Sequence, residues 1–255
     1  MLSVAGQAME SVMYTLGSFH GTGSFENKIT FGGPLSLSPE SQYFEFGRHI
    51  YNAYSLLVSW VNDVHGGIKV GSHTKQLEII SVDDQSDKSF VDAITHSLID
   101  GNVTGSSIQL LLGPYSSGLT TVAAQIAQKH EALLMAPAAA STSVFRDRPL
   151  IFGMLHPAGK YLTSGIDLLH ARNIKSITFI SEDKSFTKGI CKGAVSHAKA
   201  LGISVTDEIE VSSVLNTTQI SAVLRQMKAA PSPDAVVVPC RVDNQLHGLV
   251  PGVCL

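Results

Sequence analysis

The stretch IQLLLGPYSSGLTTVAAQIAQKHEALLMAP, residues 108–137, decides the fold class. It begins with an almost wholly apolar run over residues 108–112, and a second apolar run follows over 132–135. We predict that both runs are strands and that residues 119–129 between them form a helix. Continuous apolar strands that alternate with helices are typical of a parallel sheet covered on both faces. The stretch therefore predicts one strand–helix–strand unit of such a sheet.

The same alternation extends in both directions from this unit. Apolar residues recur at three- and four-residue steps over 50–61, which predicts a helix, and His65-Gly66-Gly67 follows as its glycine-rich end. The remaining predicted strands are 29–33, 77–82, 149–153, 176–180, 203–205 and 233–238, and the remaining predicted helices are 88–100, 158–171, 186–200 and 217–229. The sequence thus predicts the α/β class, with doubly wound parallel sheets.

The composition excludes several classes of protein. Hydrophobic residues make up 44% of the 255 residues and charged residues 15%, which excludes a disordered or fibrous chain. The 18 Lys and Arg residues are outnumbered by 21 Asp and Glu residues, so no basic excess is available for nucleic acid as a partner. The three cysteines are too few and too scattered for a disulfide framework or a zinc site.

The amino-terminal segment, residues 1–27, is rich in Gly and Ser, and we expect it to be a disordered leader. It lacks the basic and apolar regions of a secretory signal. No run of about 18 apolar residues occurs, so no membrane-spanning helix is predicted.

The sequence offers no motif for catalysis, for a cofactor or for a metal. Neither the Gly-x-Gly-x-x-Gly nor the Gly-x-x-x-x-Gly-Lys pattern of nucleotide-binding loops follows a predicted strand. The nearest match to a hydrolase nucleophile turn, residues 113–118, has the wrong spacing. The acidic turn of Asp83, Asp84 and Asp87 could be a divalent-ion site, but capping of the helix over 88–100 is the favoured interpretation. We therefore expect a protein that is not an enzyme.

Two loops of small and hydroxyl-bearing residues follow neighbouring predicted strands. One contains Tyr115, Ser116 and Ser117, and the other runs over residues 138–141, Ala-Ala-Ala-Ser. Open α/β sheets bind ligands at the carboxyl ends of their strands, and amides, serine hydroxyls and a helix N-terminus suit a carboxylate. Taken singly, each loop could be an ordinary turn that caps a helix. Taken together, the two loops favour a binding site.

A series of short motifs resembles the type I periplasmic binding proteins, in particular their leucine/isoleucine/valine-binding branch and the related ligand-binding regions of receptors. The resemblance covers roughly residues 28–240, and no single motif in it is decisive. Its motifs are GPLS at 33–36, WVNDVHGGI at 60–68, DDQSD at 83–87, LGPYSS at 112–117, MAPAAAST at 135–142, ISEDKSFTKG at 180–189 and PDAVVV at 233–238.

The resemblance implies a two-lobed clamp that closes about a hinge on a small molecule, commonly an amino acid. Lobe 1 is expected over 28–153 and a partial lobe 2 over 154–240. In such families the first lobe holds the ligand's α-carboxylate and α-amino groups, and the motifs assign this part to Tyr115, Ser116, Ser117, Ala138, Ala139, Ala140 and Ser141. Phe186 is expected to cover the ligand from the second lobe without a hydroxyl to donate. Relatives carry Thr where this chain has Ala140 followed by Ser141.

The resemblance stops before the end of the chain. Residues 241–255 match nothing expected of the family, and we expect this atypical tail to mark a carboxyl-terminal truncation that leaves lobe 2 incomplete. The resemblance implies an extracellular or periplasmic location, with a membrane transporter or a fused receptor or signalling domain as partner. Two alternatives stay open: a truncated remnant that no longer binds ligand, and an unrecognised α/β enzyme.

Overall fold

The structure is a computed structural model, which describes residues 13–17, 27–212, 217–229 and 232–238. These residues form two compact units. The first contains the described residues up to Ala139 together with 144–155, and the second contains Ala140–Ser143 and the described residues from His156 onward. Because Ala140–Ser143 belong to the second unit, the chain passes between the units three times.

The first unit is a sheet of seven strands with helices between them. Its elements are β1 (Met13–Leu16), β2 (Asn27–Leu35), α1 (Phe44–Ser59), a π-helical turn (Trp60–Val64), β3 (Ile68–Val70), β4 (His73–Asp83), α2 (Lys88–Ile99), β5 (Leu110–Leu112), α3 (Ser117–Lys129), β6 (Leu133–Ala136), α4 (Thr142–Phe145, whose first two residues belong to the second unit) and β7 (Ile151–Gly153). The strands are ordered β1-β4-β2-β5-β6-β7, and β3 pairs with the outer part of β4.

The central strands β4, β2, β5, β6 and β7 are all parallel, as the sequence predicts. The predicted α/β fold class is confirmed. Strands β1 and β3 are antiparallel to β4 and were not predicted. The expectation of a disordered leader over 1–27 is wrong for Met13–Leu16, which pair with Val82–Ile79 of β4. Four residues are too short for a periodic pattern, and their order comes from the backbone of β4.

The core of the first unit lies between the sheet and helices α2 and α3. Val91, Ile94 and Leu98 recur at helical spacing along α2, and each is at most 1% exposed. They belong to the same buried cluster as Leu111 of β5 and Leu134 of β6. The apolar strands that the sequence singles out are therefore the centre of this unit.

The end of α1 is fixed to β4 by a buried side chain. Asn62 is 1% exposed, and its Nδ2 donates to the carbonyl of Leu77 while its Oδ1 accepts from the Leu77 amide, both at 2.9 Å. Gly66 and Gly67 follow with φ of 75° and 92°, in the left-handed region that glycine adopts without steric cost. The predicted glycine end of this helix is confirmed.

The second unit is a smaller parallel α/β layer. Its elements are a 3₁₀ turn (Ala158–Lys160), α5 (Thr163–Ala171), β8 (Ser176–Glu182), α6 (Ser185–Ala200), β9 (Ser204–Val211), α7 (Thr217–Ala229) and β10 (Ala235–Val237). Its three strands are ordered β10-β8-β9 and are all parallel. Ile177, Phe179 and Ala198 lie in its core.

The predicted helix over 158–171 is divided into the 3₁₀ turn and α5. The turn packs closely on α6, because a Cβ added at Gly193 would lie 2.0 Å from the carbonyl oxygen of Gly159. Two glycines at this contact allow the backbones to approach, and a regular helix through Gly159 is not formed. This approach is a tertiary contact, which helical periodicity does not reveal.

Candidate functional site

The connections of the first sheet reverse direction at β2. The chain leaves β2 through α1 and returns as β4 on one side of β2, whereas β5 pairs with β2 on the other side, with Gly32 opposite Leu111. In open α/β sheets, ligands bind outside the carboxyl ends of the strands at such a switch point. The loops after β2 and β5 are therefore the first place to seek a site in this unit.

The loop after β5 carries Tyr115, Ser116 and Ser117 into the first turn of α3. Ser116 has a φ of 83°, unusual for a residue other than glycine, and its Oγ accepts from the amide of Leu119 at 3.3 Å. Ser117 is the first residue of α3 and is 2% exposed. Thr120 fastens the turn, since its Oγ1 donates to the carbonyls of Pro114 (3.0 Å) and Ser116 (2.7 Å). Ser116 therefore caps α3, as the first interpretation of this loop predicts. The loop also lies at the N-terminus of that helix, as the binding-site interpretation predicts.

Tyr115 of this loop lies in an aromatic cluster with two residues that the sequence analysis did not select. Its ring stacks on Phe46, with centroids 4.3 Å apart and planes at 7°, and its centroid is 5.2 Å from that of Tyr43. Tyr43 precedes α1 and Phe46 lies in its first turn. The aromatic run YFEF at 43–46 was the available signal. Its significance depends on the adjacency of β2 and β5, which no local pattern reveals.

The loop after β2 is fastened by two carboxylates at the end of β4. Asp83 accepts from the amide of Leu37 at 2.7 Å and from the hydroxyl of Ser38. Asp84 accepts from the hydroxyl of Ser36 at 2.5 Å. Asp83, Asp84 and Ser36 are all at most 3% exposed. Asp83 and Asp84 therefore hold the loop after β2. This role differs from the ion site and the helix cap that the sequence suggests.

The predicted capping of the helix after β4 is confirmed for Asp87 alone. Its Oδ1 accepts from the amide of Ser89 at 2.7 Å in the first turn of α2. This hydrogen bond, together with that from the Ser89 hydroxyl, holds the pKa of Asp87 below its ordinary value. Within the described part of the chain, no group of three or more His, Cys, Asp or Glu side chains is arranged to hold a metal ion.

Burial has the opposite effect on Asp84. The side chain is fully buried, and removal of the carboxylate from water raises its pKa to about 6, against the lowering by hydrogen bonds from Ser36 and Ser86. Its Oδ2 atom is buried and has no hydrogen-bond partner among the described residues. A buried carboxylate with only one satisfied oxygen is costly in its charged form.

The second predicted loop is divided between the two units. Ala138 and Ala139 follow β6 in the first unit, where Ala139 belongs to the main core cluster. Ala140 and Ser141 belong to the second unit. There the carbonyl of Ala140 accepts from the amide of Ala158 at 2.8 Å, which anchors the segment to the 3₁₀ turn.

Ser141 takes part in a ring of three hydroxyl groups in the second unit. Its Oγ is 2.9 Å from that of Ser143 and accepts from Ser185 at 3.1 Å, and Ser143 is 3.3 Å from Ser185. Ser185 is the first residue of α6, where Lys184 provides no side-chain cap. The hydroxyl groups therefore gather at a helix N-terminus, a favourable place for an anionic group.

Phe186, the predicted ligand cover, lies in the first turn of α6 beside this ring. It packs against the small cluster of Ala140, Ala158 and Ile190, and its ring centroid is 5.6 Å from that of Tyr161. Tyr161 is 42% exposed and was not selected from the sequence. It supplies a phenol hydroxyl next to Phe186, which itself has none.

Two further observations concern the thiol of Cys191 and the character of the helices. Cys191 is buried, which raises the pKa of its thiol to about 11 and disfavours the thiolate. No helix in the described ranges combines the length and the apolar character that are needed to cross a bilayer.

The described residues form a doubly wound sheet with a switch point at β2, followed by a second parallel α/β unit, which is the architecture expected of a two-lobed binding protein. The sequence model of the periplasmic binding protein family matches residues 28–239, and the chain belongs to this family. The family predicted from the motifs is thereby confirmed. No curated protein sequence matches the chain significantly.

Solved structures with the same fold include three bacterial transport proteins. An ABC transporter substrate-binding protein from Desulfitobacterium hafniense is 18% identical with a TM-score of 0.63, and the match covers 84% of this chain and 58% of that one. The LivJ protein of Streptococcus pneumoniae, in complex with isoleucine, is 23% identical with a TM-score of 0.59, over 84% and 57%. A Rhodopseudomonas palustris solute-binding protein, in complex with 4-hydroxybenzoate, is 19% identical with a TM-score of 0.64, over 84% and 54%. The chain therefore spans somewhat more than half the length of each of these relatives.

Proposed function

We propose that the chain binds a small carboxylate, of the amino-acid or aromatic-acid class, at the loop after β5. The observation that carries this proposal is the position of that loop. Tyr115, Ser116 and Ser117 lie at the switch point of the sheet and lead into the N-terminus of α3. Backbone amides and the helix dipole there favour a negative charge.

The aromatic cluster supports an organic ligand rather than a bare anion. Tyr115, Tyr43 and Phe46 present ring faces and edges beside the serine turn. An aliphatic or aromatic side group gains free energy by burial against such rings. Two of the related solved structures are complexes with isoleucine and with 4-hydroxybenzoate, which both combine a carboxylate with an apolar group.

The predicted contacts in the loop after β6 and in α6 form part of the same proposal. We infer that Ala138, Ala139, Ala140, Ser141 and Phe186 contribute to ligand recognition, as the family motifs imply. The hydroxyl ring of Ser141, Ser143 and Ser185 at the start of α6 supports this inference, because it can donate to polar ligand atoms.

Membership of the family supports a proposal about the biological setting. We infer a binding protein rather than an enzyme, located outside the cytoplasm. We infer a membrane transporter or a fused receptor domain as its partner. Lobes over residues 28–153 and 154–240 remain the proposed functional division of the chain.

A thermal-shift screen with the twenty amino acids and with benzoate, 4-hydroxybenzoate and 3,4-dihydroxybenzoate tests the proposal. A ligand that binds only the folded state at about 100 times its Kd adds about 2.7 kcal/mol. For a chain of this size, that stabilisation raises the Tm by about 5–10 °C. Absence of a shift with every compound, at millimolar concentration, would contradict the proposal.

Paired serine variants then locate the site. Ser117→Ala should lower the affinity of any ligand found, because it removes a hydroxyl at the start of α3. Removal of one hydrogen bond to a charged group costs roughly 1.5–3 kcal/mol, or at least about tenfold in Kd. Ser89→Ala is the matched control, since it removes a hydroxyl from the first turn of α2 in the same unit. Equal losses for both variants would move the site away from α3.

A further inference from the structure

A chain of hydrogen bonds leads from buried Asp84 to the aromatic cluster of the site. The Oδ1 atom of Asp84 accepts from the hydroxyl of Ser36 (2.5 Å) and from the amide of Ser86 (2.8 Å). The Ser86 hydroxyl donates to that of Ser36 at 3.0 Å and accepts from the amide of Tyr43 at 2.9 Å. Since the Tyr43 ring contacts Tyr115, the residues Ser36, Ser86 and Tyr43 connect Asp84 to the proposed ligand contact.

The turn that carries this chain of hydrogen bonds is strained. Gln85 and Ser86 have φ values of 49° and 61°, so two successive residues other than glycine adopt the left-handed conformation. Such conformations persist only where the surroundings enforce them. Here the Asp84 carboxylate binds the Ser86 amide from within the turn and thereby holds the Ser86 hydroxyl in place for Tyr43.

The contacts of Ser36 leave the loop after β2 little freedom. A Cβ added at Gly47 of α1 would lie 1.9 Å from the carbonyl oxygen of Ser36, so the helix and the loop are in direct backbone contact. A displacement of Ser36 would therefore be transmitted to α1, which carries Phe46, whose ring stacks on that of Tyr115.

The groups that face Asp84 leave its charge uncompensated. From its own turn, the carboxylates of Asp83 and Asp87 both disfavour its ionisation. The loop after β2 faces it with the Ser36 hydroxyl, and the turn before α2 with the Ser86 amide. No cation of the described residues is paired with it. Burial and these neighbours place the pKa of Asp84 at about 6.

We propose that Asp84 is a positioning residue: in its ionised form it holds Tyr43 and Tyr115 for ligand binding, and a proton on it releases them. Hydrogen bonds to a carboxylate are roughly twice as strong as those to a neutral acid. The strained turn is therefore held firmly in the ionised form and loosely in the protonated form. This inference rests on the proposed ligand site but requires no further ligand contact.

Ionisation of Asp84 should have opposite effects on stability and on ligand binding, which a purely structural residue would not produce. Ionisation of a buried carboxylate lowers the stability of the folded chain, because the charge is taken out of water. The same ionisation improves the site. Asp84→Asn, which keeps an acceptor at Oδ1 without the charge, should therefore increase thermal stability at neutral pH and weaken ligand binding there.

The ligand experiment compares the wild type with Asp84→Asn by isothermal titration calorimetry between pH 5 and 8. The probe is L-leucine, or the most strongly stabilising compound of the screen described above. We expect wild-type affinity to rise about five- to tenfold as the pH passes 6, and the variant to hold the low-pH affinity throughout. Parallel pH profiles in the two proteins would overturn the proposal.

A ligand-free experiment keeps the proposal separate from the proposed function. Carboxyl ¹³C NMR should show Asp84 titrating near pH 6, and the ring resonances of Tyr43 and Tyr115 should shift with the same midpoint. Ser86→Ala, which removes the acceptor for the Tyr43 amide, should abolish the ring shift while the Asp84 titration persists. Ring resonances that do not follow the titration of Asp84 would overturn its proposed positioning role even if a ligand binds. If they follow Asp84 but no compound binds, only the proposed function fails.

Discussion

The two units each contain an acidic turn between a parallel strand and a helix, and the two turns use their charges in different ways. In the turn over 83–87, two carboxylates are buried and accept hydrogen bonds from hydroxyls and amides of another loop. In the turn over 182–186, Glu182 at the end of β8 is also buried and lies 3.1 Å from the ammonium of Lys184. The next carboxylate, Asp183, pairs instead at 2.6 Å with Lys188, whose ammonium is also 3.0 Å from Glu210. Asp183, Lys188 and Glu210 are all more than two-fifths exposed.

The difference shows how burial decides what an acidic turn does. An exposed ion pair in water contributes little, because solvent and salt screen it and two long side chains lose freedom. A buried carboxylate is costly and must be held by donors, so it controls the position of whatever carries those donors. The buried carboxylates of the first turn are therefore suited to positioning a site. The exposed ion pairs of the second turn are not.

The largest expected effect is at Asp84. Its folded-state pKa is raised from 3.8 to about 6, so its contribution to stability is fully present below about pH 4 and is lost as the pH rises through 6. Asp84→Asn should remove that loss and increase the unfolding free energy by about 3 kcal/mol at pH 7.5, with little change at pH 4. Urea denaturation at the two pH values measures this difference. Asp183→Asn in the second turn is the control and should show no such pH-dependent gain.

The capping residues of the two turns should differ next. Asp87 caps α2, whereas the corresponding Lys184 before α6 makes no side-chain cap. Asp87→Ala should cost about 1 kcal/mol of unfolding free energy at pH 7. Asp183→Ala, in the uncapped turn before α6, should cost less because the ion pair that it removes is exposed. Because the pKa of Asp87 is lowered, its contribution should fade as the pH falls through that value. Equal costs for the two variants in urea titrations would show that the two turns do not differ in helix capping.

The smallest effect is expected at the ion pairs of the second turn. Hydrogen bonds to Asp183 and Glu210 raise the pKa of Lys188, yet its side chain is exposed. Lys188→Met should change the Tm by no more than about 1 °C, and about 0.5 M salt should change the wild-type Tm equally little. A large loss in differential scanning calorimetry would show that this turn, too, depends on its charges.

Much of the fold could be predicted because its signals are local. Apolar runs identified the strands β2, β4, β5, β6 and β8, and the glycines at 66–67 identified the end of α1. The antiparallel strand β1 was missed because Met13–Leu16 are ordered by pairing with β4 rather than by their own pattern. The break before α5 was missed because it depends on the approach of Gly159 to Gly193.

The candidate site was predictable only in part for the same reason. Ser116 and Ser117 could be selected because a serine turn before a helix has a recognisable sequence. Tyr43, Phe46 and the role of Asp84 could not, because they gain meaning from residues about 40 to 70 positions away. The division of Ala138–Ser141 between the units is likewise a property of the folded chain.

The amino-acid sequence by itself determined the alternation of strands and helices, the family and the chemical character of the serine loops. These features depend on hydrophobic periodicity and on residues close together in the chain. Tertiary structure alone decided which loops meet at the switch point and which carboxylates are buried. The physical reason is that strand adjacency and desolvation arise from contacts between distant segments, and those contacts convert similar acidic turns into a buried support and an exposed surface.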